Sequence, residues 1–471
     1  MIKLKDTLDE QLKEIYPKSS NQILMYVCGL TPYDDTHLGH ARTFASIDIL
    51  KRYLEYKGQK VFHIQNVTDI DDKIINRALQ KNMLPLDLSS FYDQKSRQEL
   101  LGLNILPPSF MPKVSESIPI ILDFISKILQ KGFGYVSKSG VYFDVLKYNK
   151  AFGSYGALSK QNLEKIKSGA RIEPKEDKKD PSDFALWKFE EVKGATFFSP
   201  WGEGRPGWHI ECSAMSMAAT KGKPLDMHCG ARDLIFPHHE NEIAQAHAAG
   251  YIPFCYQWLH TGFLTVNGEK MAKSLGNFIT LSEAMQKWKT PVLRLFFALS
   301  HYSSPLDFSI NAIEGVEKTF ENLKRSLFIA EQKFLKITPS TNYIRDFEQK
   351  IDQKIQEFDK FMENDLDTPL ACSSLIAASK EISKAAESGL CPYSLISNKA
   401  SKIKEHFNIL GVEIPLPELK ISKTEIEKLL EKRQEAREER DFEQADAIRT
   451  ELQQKGIILE DTEHGTIWKY L

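Results

Sequence analysis

A strand, a tight turn, a helix and a second strand follow one another between Gln22 and Asp69, and this order constrains the fold more than any other feature of the chain. The run QILMYVC (Gln22–Cys28) is apolar and partly β-branched, and it breaks at Gly29. After GLTPYDDTHLGHAR, the residues Ile47, Leu50 and Leu54 mark one face of a helix that Gly58 stops. The apolar run KVFHIQNVTD supplies the second strand. A βαβ unit of this kind feeds a parallel sheet and binds nucleotides at the carboxyl ends of its strands. The spacing puts the string HLGH (His37–His40) at a helix N-terminus, where free N–H groups and the helix dipole favour phosphate. Gly39 lets a nucleotide lie close to the backbone, and two imidazoles can donate to a pentacovalent α-phosphate without a permanent charge. Two surface histidines capping a helix would show the same four letters, so HLGH alone does not decide between the two readings.

A second string, KMAKS at Lys270–Ser274, follows a Val266-Asn267-Gly268 turn. Two lysines three residues apart in such a loop can close over a triphosphate and neutralise charge as pyrophosphate leaves. Most KxxK pairs are ordinary basic surface loops. A third feature is a set of metal-ligating residue types. There is no CxxC pair, but PHHENE (Pro237–Glu242) opens a helical stretch on which His238 and Glu242, four apart, share a face. GWHIEC carries Cys212, and Cys28 ends the first strand beside the HLGH turn. Two thiolates, an imidazole and a carboxylate make a tetrahedral zinc set. His239 competes with His238, and Cys229 or His209 can replace another member.

Five strings, YVCGLTPYDDTHLGHART, NVTDIDDKII, GRPGWHIECSAMS, DLIFPHHENEIAQ and KMAKSLGNF, occur in this order over nearly the whole chain. In combination they resemble the cysteinyl-tRNA synthetases of bacterial type, members of the class I aminoacyl-tRNA synthetases. The resemblance implies a Rossmann-like α/β catalytic domain with an insertion, followed by an α-helical bundle and a small C-terminal helix-hairpin module. It implies an ATP-dependent ligase that makes cysteinyl-adenylate and passes cysteine to the 3′ end of tRNA(Cys), with Mg2+ accompanying ATP. By the same resemblance, Cys28, Cys212, His238 and Glu242 hold one zinc ion per subunit. His37, His40, Lys270 and Lys273 are catalytic, Gly39 and Gly230 join His37, His40 and Lys273 in binding ATP, and Thr31, Thr68, Trp208 and Asp233 line the cysteinyl and adenylate pocket. Two departures stand out. Ala272 replaces the usual Ser or Thr of KMAKS, and Cys229-Gly230-Ala231-Arg232 replaces a Gly-Gly stretch, so that Ala231 crowds the ribose. A metal beside the reaction centre makes chemical sense, because a soft thiolate binds zinc far better than a hydroxyl does and a simple pocket separates cysteine from serine poorly.

Composition agrees. The 471 residues allow two to four domains, and a net charge of −2 leaves RNA contacts to local patches. Six cysteines in such a length suit a reducing compartment. MIKLKDTLDE reads as neither signal nor transit peptide and no apolar run is of membrane-spanning length, so the expectation is a cytosolic monomer with no membrane partner. The patterns suggest five segments: residues 1–106 and 195–310 as two halves of the catalytic domain, 107–194 as the insertion, 311–420 as a helical bundle and 421–471 as the terminal module. By the resemblance, the insertion holds the tRNA acceptor end, with Lys160, Lys165 and Lys167 as candidate phosphate contacts; a solvated lysine face is the competing reading. The bundle holds the inner side of the tRNA; Val316, Phe320, Leu323 and Leu327 mark its apolar stripe. The terminal module reads the anticodon, with Arg433, Arg437 and Arg440 as phosphate contacts and Trp468 as a stacking surface; a solvated helix and a core tryptophan are the competing readings. A cysteine ligase acting on an amino sugar, as in mycothiol biosynthesis, shares much of the catalytic core but has little use for the long helical tail. A catalytically silent tRNA- or zinc-binding paralogue is disfavoured by the intact motifs.

Overall fold

The computed structural model describes residues 1–164, 177–271, 275–330, 332, 337–415, 419–462 and 465–470. The expectations attached to Lys165, Lys167, Ala272 and Lys273 lie outside the described residues. The chain forms two compact units. One comprises Met1–Trp288, Tyr302–Phe308 and Glu363–Leu366; the other comprises Lys289–His301, Ser309–Met362 and Asp367–Leu471.

The first unit is built on a four-stranded parallel sheet in the spatial order Trp258–Thr261, Met227–Ala231, Ile23–Val27, Val61–Gln65. Ile23–Val27 is buried along its whole length, as a central parallel strand covered on both faces must be. From that strand the chain moves outward to Val61–Gln65 and later returns to Met227–Ala231 on the opposite side, so a crevice opens between the carboxyl ends of the two strands. The expected helix spans Leu38–Tyr56, and Gly58 beyond its end has φ 80°. Its start differs from the expectation in one respect. His37 is the N-cap, and its Nδ1 accepts from the N–H groups of Gly39 (3.1 Å) and His40 (3.3 Å), so those donors are already satisfied.

The insertion forms an antiparallel sheet of Gly134–Val136, Gly140–Phe143, Phe184–Lys188 and Arg205–Pro206, which extends past residue 194. Its residues share one core with the parallel sheet: Ile121, Phe143 and Trp187 belong to the same buried cluster as Tyr26, Ile64 and Trp258. Leu264–Val266 pairs with Glu269–Lys270 across an Asn267-Gly268 turn, both residues at positive φ (51° and 79°), the backbone that an Asn-Gly hairpin requires.

The second unit is mainly helical: Thr290–Ala298, Ile310–Ile329, Thr341–Glu363, Thr368–Ser388 and Tyr393–Ile409, then Lys423–Glu438 and Phe442–Gln454. Thr290–Ala298, which the sequence pattern left in segment 195–310, belongs here. Phe320, Leu323 and Leu327 are buried as expected, with Val316 half-buried. The last two helices pack on the hairpin Ile457–Thr462/Gly465–Tyr470 around Ile426, Leu452, Leu459 and Trp468.

Two expectations for this module fail. Trp468 is 2 % exposed, lies edge-on to Phe328 at 5.1 Å and donates its backbone N–H to Gln332, so it is core and not a stacking surface. Arg433 is also buried, and its guanidinium grips Asp461 with two bonds of 2.8 Å, so it is not presented to phosphate. Arg437 reaches the same carboxylate at 3.1 Å, whereas Arg440 is exposed. No described helix is long and apolar enough to cross a membrane.

Candidate active site and metal centre

The crevice at the strand ends holds a cavity of about 260 Å³. Thr31, Thr68, Trp208 and Asp233 all line it, together with His37 and His40. Gly39, Gly230 and Lys270 do not. Gly29 turns the chain out of the first strand where a Cβ would stand 1.6 Å from the Asn66 carbonyl oxygen, so no other residue fits there. Its N–H donates to Asn66 Oδ1 at 2.9 Å; Asn66 Nδ2 donates to Thr68 Oγ1 at 3.1 Å, and Thr68 Oγ1 donates to Glu211 at 3.1 Å. This chain of bonds fixes the Thr68 hydroxyl against the cavity. Burial, with the Cys212 thiolate nearby, pushes the Glu211 carboxyl well above its ordinary range. Gly230 serves packing: a Cβ there would meet the His239 ring at 2.8 Å.

The HLGH imidazoles stack on each other with centroids 3.6 Å apart. Because His37 Nδ1 accepts two backbone bonds, its proton sits on Nε2. His40 Nδ1 is buried with no partner among the described residues. Burial and the charges of His37 and Lys73 hold His40 well below the usual imidazole range, so it is neutral near pH 7. The segment after KMAKS pairs directly with this turn. The Leu38 N–H donates to the Ile279 carbonyl at 3.2 Å, Phe278 meets the His37 ring edge-on, and Met271 Cε lies 3.6 Å from where a Gly39 Cβ would stand. Lys270 is exposed on its strand, and its carbonyl accepts from Asn277 at 3.2 Å. Buried Arg42 donates to the carbonyls of Gly262, Phe263 and Ser304, tying the HLGH helix to the strand that leads into KMAKS. The HLGH turn and described residues on either side of the KMAKS lysine pair, some 230 residues away in sequence, are therefore in direct contact.

On the other side, Cys28 Sγ, Cys212 Sγ, one His238 ring nitrogen and a Glu242 oxygen lie within 4.8 Å of one another, and all four residues are buried. Cys28 Sγ stands 4.0 Å from Cys212 Sγ and 3.7 Å from Glu242 Oε1, and His238 Nε2 stands 3.1 Å from the same oxygen. Separations of this size suit four donors around one small ion at metal–ligand distances of about 2.0–2.3 Å. A second set, Cys28, His228, His239 and Glu242, meets the same distance limit. The histidine ambiguity of the sequence thus persists in the geometry.

The cavity separates the two sets. Cys28, Cys212 and His238 line it, whereas His228 and His239 do not, so only the first set opens toward a substrate. Its outer partners are also in place. His209 Nδ1 bonds His238 Nδ1 at 2.9 Å, leaving Nε2 to the cluster, and His228 Nε2 holds the far Glu242 oxygen at 2.8 Å. His239 Nδ1 is engaged by His260 at 2.8 Å.

Although burial lowers it, the negative charges of Cys212 and Glu242 raise His238 to about 10, so it holds a proton that a metal ion would displace. Burial opposes ionisation of Cys212, yet bonds from Cys28 and His238 bring its thiol down to about 6, while burial and Cys212 hold Cys28 well above its ordinary value. Burial likewise opposes Glu242, which His228 and His238 draw down to about 2. The donors present fit a borderline-soft divalent ion. Sequence reasoning missed Tyr33, Asn66 and Lys73 as lining residues, and His228 and His260 as outer partners. The string NVTDIDDKII contains two of these, but nothing in its spacing says which side chains face a cavity.

Comparison with known proteins gives these observations a context. A family model described as the class I (C) tRNA synthetase catalytic domain matches residues 14–318, and one described as the cysteinyl-tRNA ligase anticodon binding domain matches 423–468. A cysteine–tRNA ligase of Thermococcus gammatolerans is 42% identical over 479 residues, covering 99% of both chains. That of Actinobacillus pleuropneumoniae is 39% identical over 480 residues, covering 100% of both. Among solved structures, the Mycobacterium tuberculosis methionyl-tRNA synthetase in complex with methionyl-adenylate superposes with TM-score 0.60 at 12% identity, over 83% of this chain and 90% of that one. The Agrobacterium radiobacter K84 agnB2 LeuRS, from its ternary complex with tRNA and LeuAMS, gives TM-score 0.60 at 10% identity, over 85% and 88%. At such identities these two speak for the fold, which is that of a class I synthetase. Matched along essentially its whole length, the chain belongs to the cysteinyl-tRNA ligase family of class I tRNA synthetases.

Proposed function

We propose that the chain is a cysteine–tRNA ligase whose site residues are those assigned by the resemblance. The cysteine carboxylate, already ionised at neutral pH, attacks the α-phosphorus of ATP and pyrophosphate leaves, so no general base is required. A hydroxyl of the terminal adenosine of tRNA(Cys) then attacks the cysteinyl carbonyl, and AMP leaves. His37 and His40 donate to the α-phosphate, with Lys270 and Lys273 neutralising the departing pyrophosphate, which Mg2+ accompanies. Thr31, Thr68, Trp208 and Asp233 position the aminoacyl group, and Thr68 is held for this by Asn66 and Glu211. Cys28, Cys212, His238 and Glu242 would hold zinc. Bound there, zinc supplies a soft acid that prefers a thiolate to a hydroxyl and so selects cysteine over serine.

The observation that carries this reading is the opening of a two-thiol donor set onto the same cavity as the HLGH imidazoles. Segment 107–194 is assigned to the acceptor end, 311–420 to the inner side of the tRNA and 421–471 to the anticodon, the last supported by the family match at 423–468. One chain carries every residue assigned to the chemistry, which supports a monomer. Two reduced thiols in the donor set support a cytosolic setting. The amino-sugar ligase is not favoured, since it leaves the anticodon-binding segment without use.

The test is ATP-dependent attachment of labelled cysteine to a cysteine-tRNA transcript, with serine as control. Charging that rejects serine is the expected result. Cysteine activation without transfer to tRNA would overturn the ligase reading in favour of the amino-sugar enzyme.

A further inference from the structure

One cation of the cavity has no part in the assignments above. Lys73 lies in the first turn of the helix Asp72–Lys81, directly after the second βαβ strand, and is the only lysine among the described lining residues. The aspartates next in sequence to Lys73 and to Tyr33, another lining residue, are engaged elsewhere. Asp71 caps the helix by accepting the Lys73 backbone N–H at 2.8 Å. Asp72 is held by Lys188 at 3.0 Å and by Arg205. Asp34 pairs with Arg77 at 3.4 Å, and Asp35 pairs with Lys95.

Among the described residues no carboxylate comes within ion-pair distance of the Lys73 ammonium. Its Nζ lies 5.5 Å from the ring centroid of Tyr33. Asp233 is the one carboxylate among the described lining residues, and it makes no ion pair with Lys73. A lysine with no ion pair among the described residues, on the cavity that also holds the orphaned Nδ1 of His40, is arranged for an anion that arrives with the substrate.

We propose that Lys73 is a phosphate-binding residue of the reaction, a fixed positive charge separate from the KMAKS lysines. This rests on the ligase reading given above. The chemistry that Lys73 would recognise is a phosphate oxygen still present after pyrophosphate has left. Two sources offer one: the α-phosphate of the adenylate, and the phosphodiester that precedes the terminal adenosine of tRNA. An ammonium on a flexible stem serves either as a point charge.

The experiment uses the full-length enzyme with Lys73→Gln and Lys73→Arg. Both variants change an exposed side chain with no ion pair, so thermal melting should match the wild type. Cysteine-dependent ATP–pyrophosphate exchange reports adenylate formation. Single-turnover transfer from preformed enzyme-bound adenylate to tRNA(Cys) reports the second step. Lys73→Gln is expected to lose roughly 10- to 100-fold in one of these steps, with partial rescue by Lys73→Arg. Loss in exchange assigns Lys73 to the α-phosphate; loss confined to transfer assigns it to the tRNA phosphodiester. Unchanged rates in both steps, in an enzyme whose wild type charges tRNA, would overturn the role of Lys73 and leave the ligase reading intact. A wild type without cysteine-dependent exchange would overturn both together.

Discussion

At the scale of single residues, the donor cluster poses the sharpest question, because two overlapping sets share Cys28 and Glu242. Only Cys212 and His238 are private to the cavity-facing set, and only His228 and His239 to the inner one. Removing a ligand costs more metal affinity than removing a residue that orients a ligand, the latter loss being roughly 10–100-fold. With zinc in the cavity-facing set, Cys212→Ser and His238→Ala should each lower zinc affinity by more than His228→Ala does. Chelator competition measures the order, and the thiolate charge-transfer bands of the cobalt-substituted protein count the sulfurs. Two thiolates in the wild type and one in Cys212→Ser are expected. An unchanged sulfur count in Cys212→Ser, with metal lost instead in His239→Ala, would move the ion to the inner set. The same cluster marks the limit of what could be read from sequence. His238 and His239 both lie within one helical turn of Glu242, so local spacing cannot choose between them. The choice depends on His209, His228 and His260, which other elements bring in from positions that no spacing rule connects.

At the scale of elements, local signals carried most of the architecture. The strand Ile23–Val27, the HLGH helix with its glycine stop and the Asn267-Gly268 hairpin all form where periodicity and turn chemistry placed them. The terminal module shows what stays hidden. KRQEAREER reads as a solvated helix, and only the return of the hairpin against it buries Arg433 on Asp461 and Trp468 on Phe328. That pairing gives the module a pH response. The hydrogen bond from Arg433, working against burial and helped by Thr466 and by the charge of Arg437, holds the Asp461 carboxyl below its ordinary 3.8. A carboxyl depressed in the folded state stabilises it fully above the unfolded value, and that contribution is lost as pH falls from about 4 through the folded value. The Asp461→Asn variant should lose stability at neutral pH and show a flatter acid profile below pH 4. Fluorescence of the buried Trp468, followed through acid titration in a background lacking the other tryptophans, checks this. Equal acid midpoints in variant and wild type would remove Asp461 from the balance.

At the scale of the whole molecule, net charge separates the two substrates. With 62 basic and 64 acidic side chains, the chain has no overall positive field to draw in RNA. Its grip on tRNA must come from local groups at phosphates, each exchanging for a condensed counterion, and such contacts weaken in proportion to the logarithm of salt concentration. Amino-acid activation is assigned above to a small cavity, where charges are close and poorly screened. The two partial reactions should therefore respond differently to salt. Between about 50 and 200 mM KCl, the KM for tRNA(Cys) in charging should rise at least roughly tenfold, as several phosphate contacts require. The KM for cysteine in pyrophosphate exchange should change by less than about twofold over the same range. Steady-state charging and exchange, run in parallel on one preparation, give both slopes. Parallel slopes would mean that salt acts on the shared cavity, and the phosphate contacts would then be too few to hold the tRNA. A steep tRNA slope with a flat cysteine slope places the electrostatic part of recognition outside the cavity, in patches whose charge cancels over the chain as a whole.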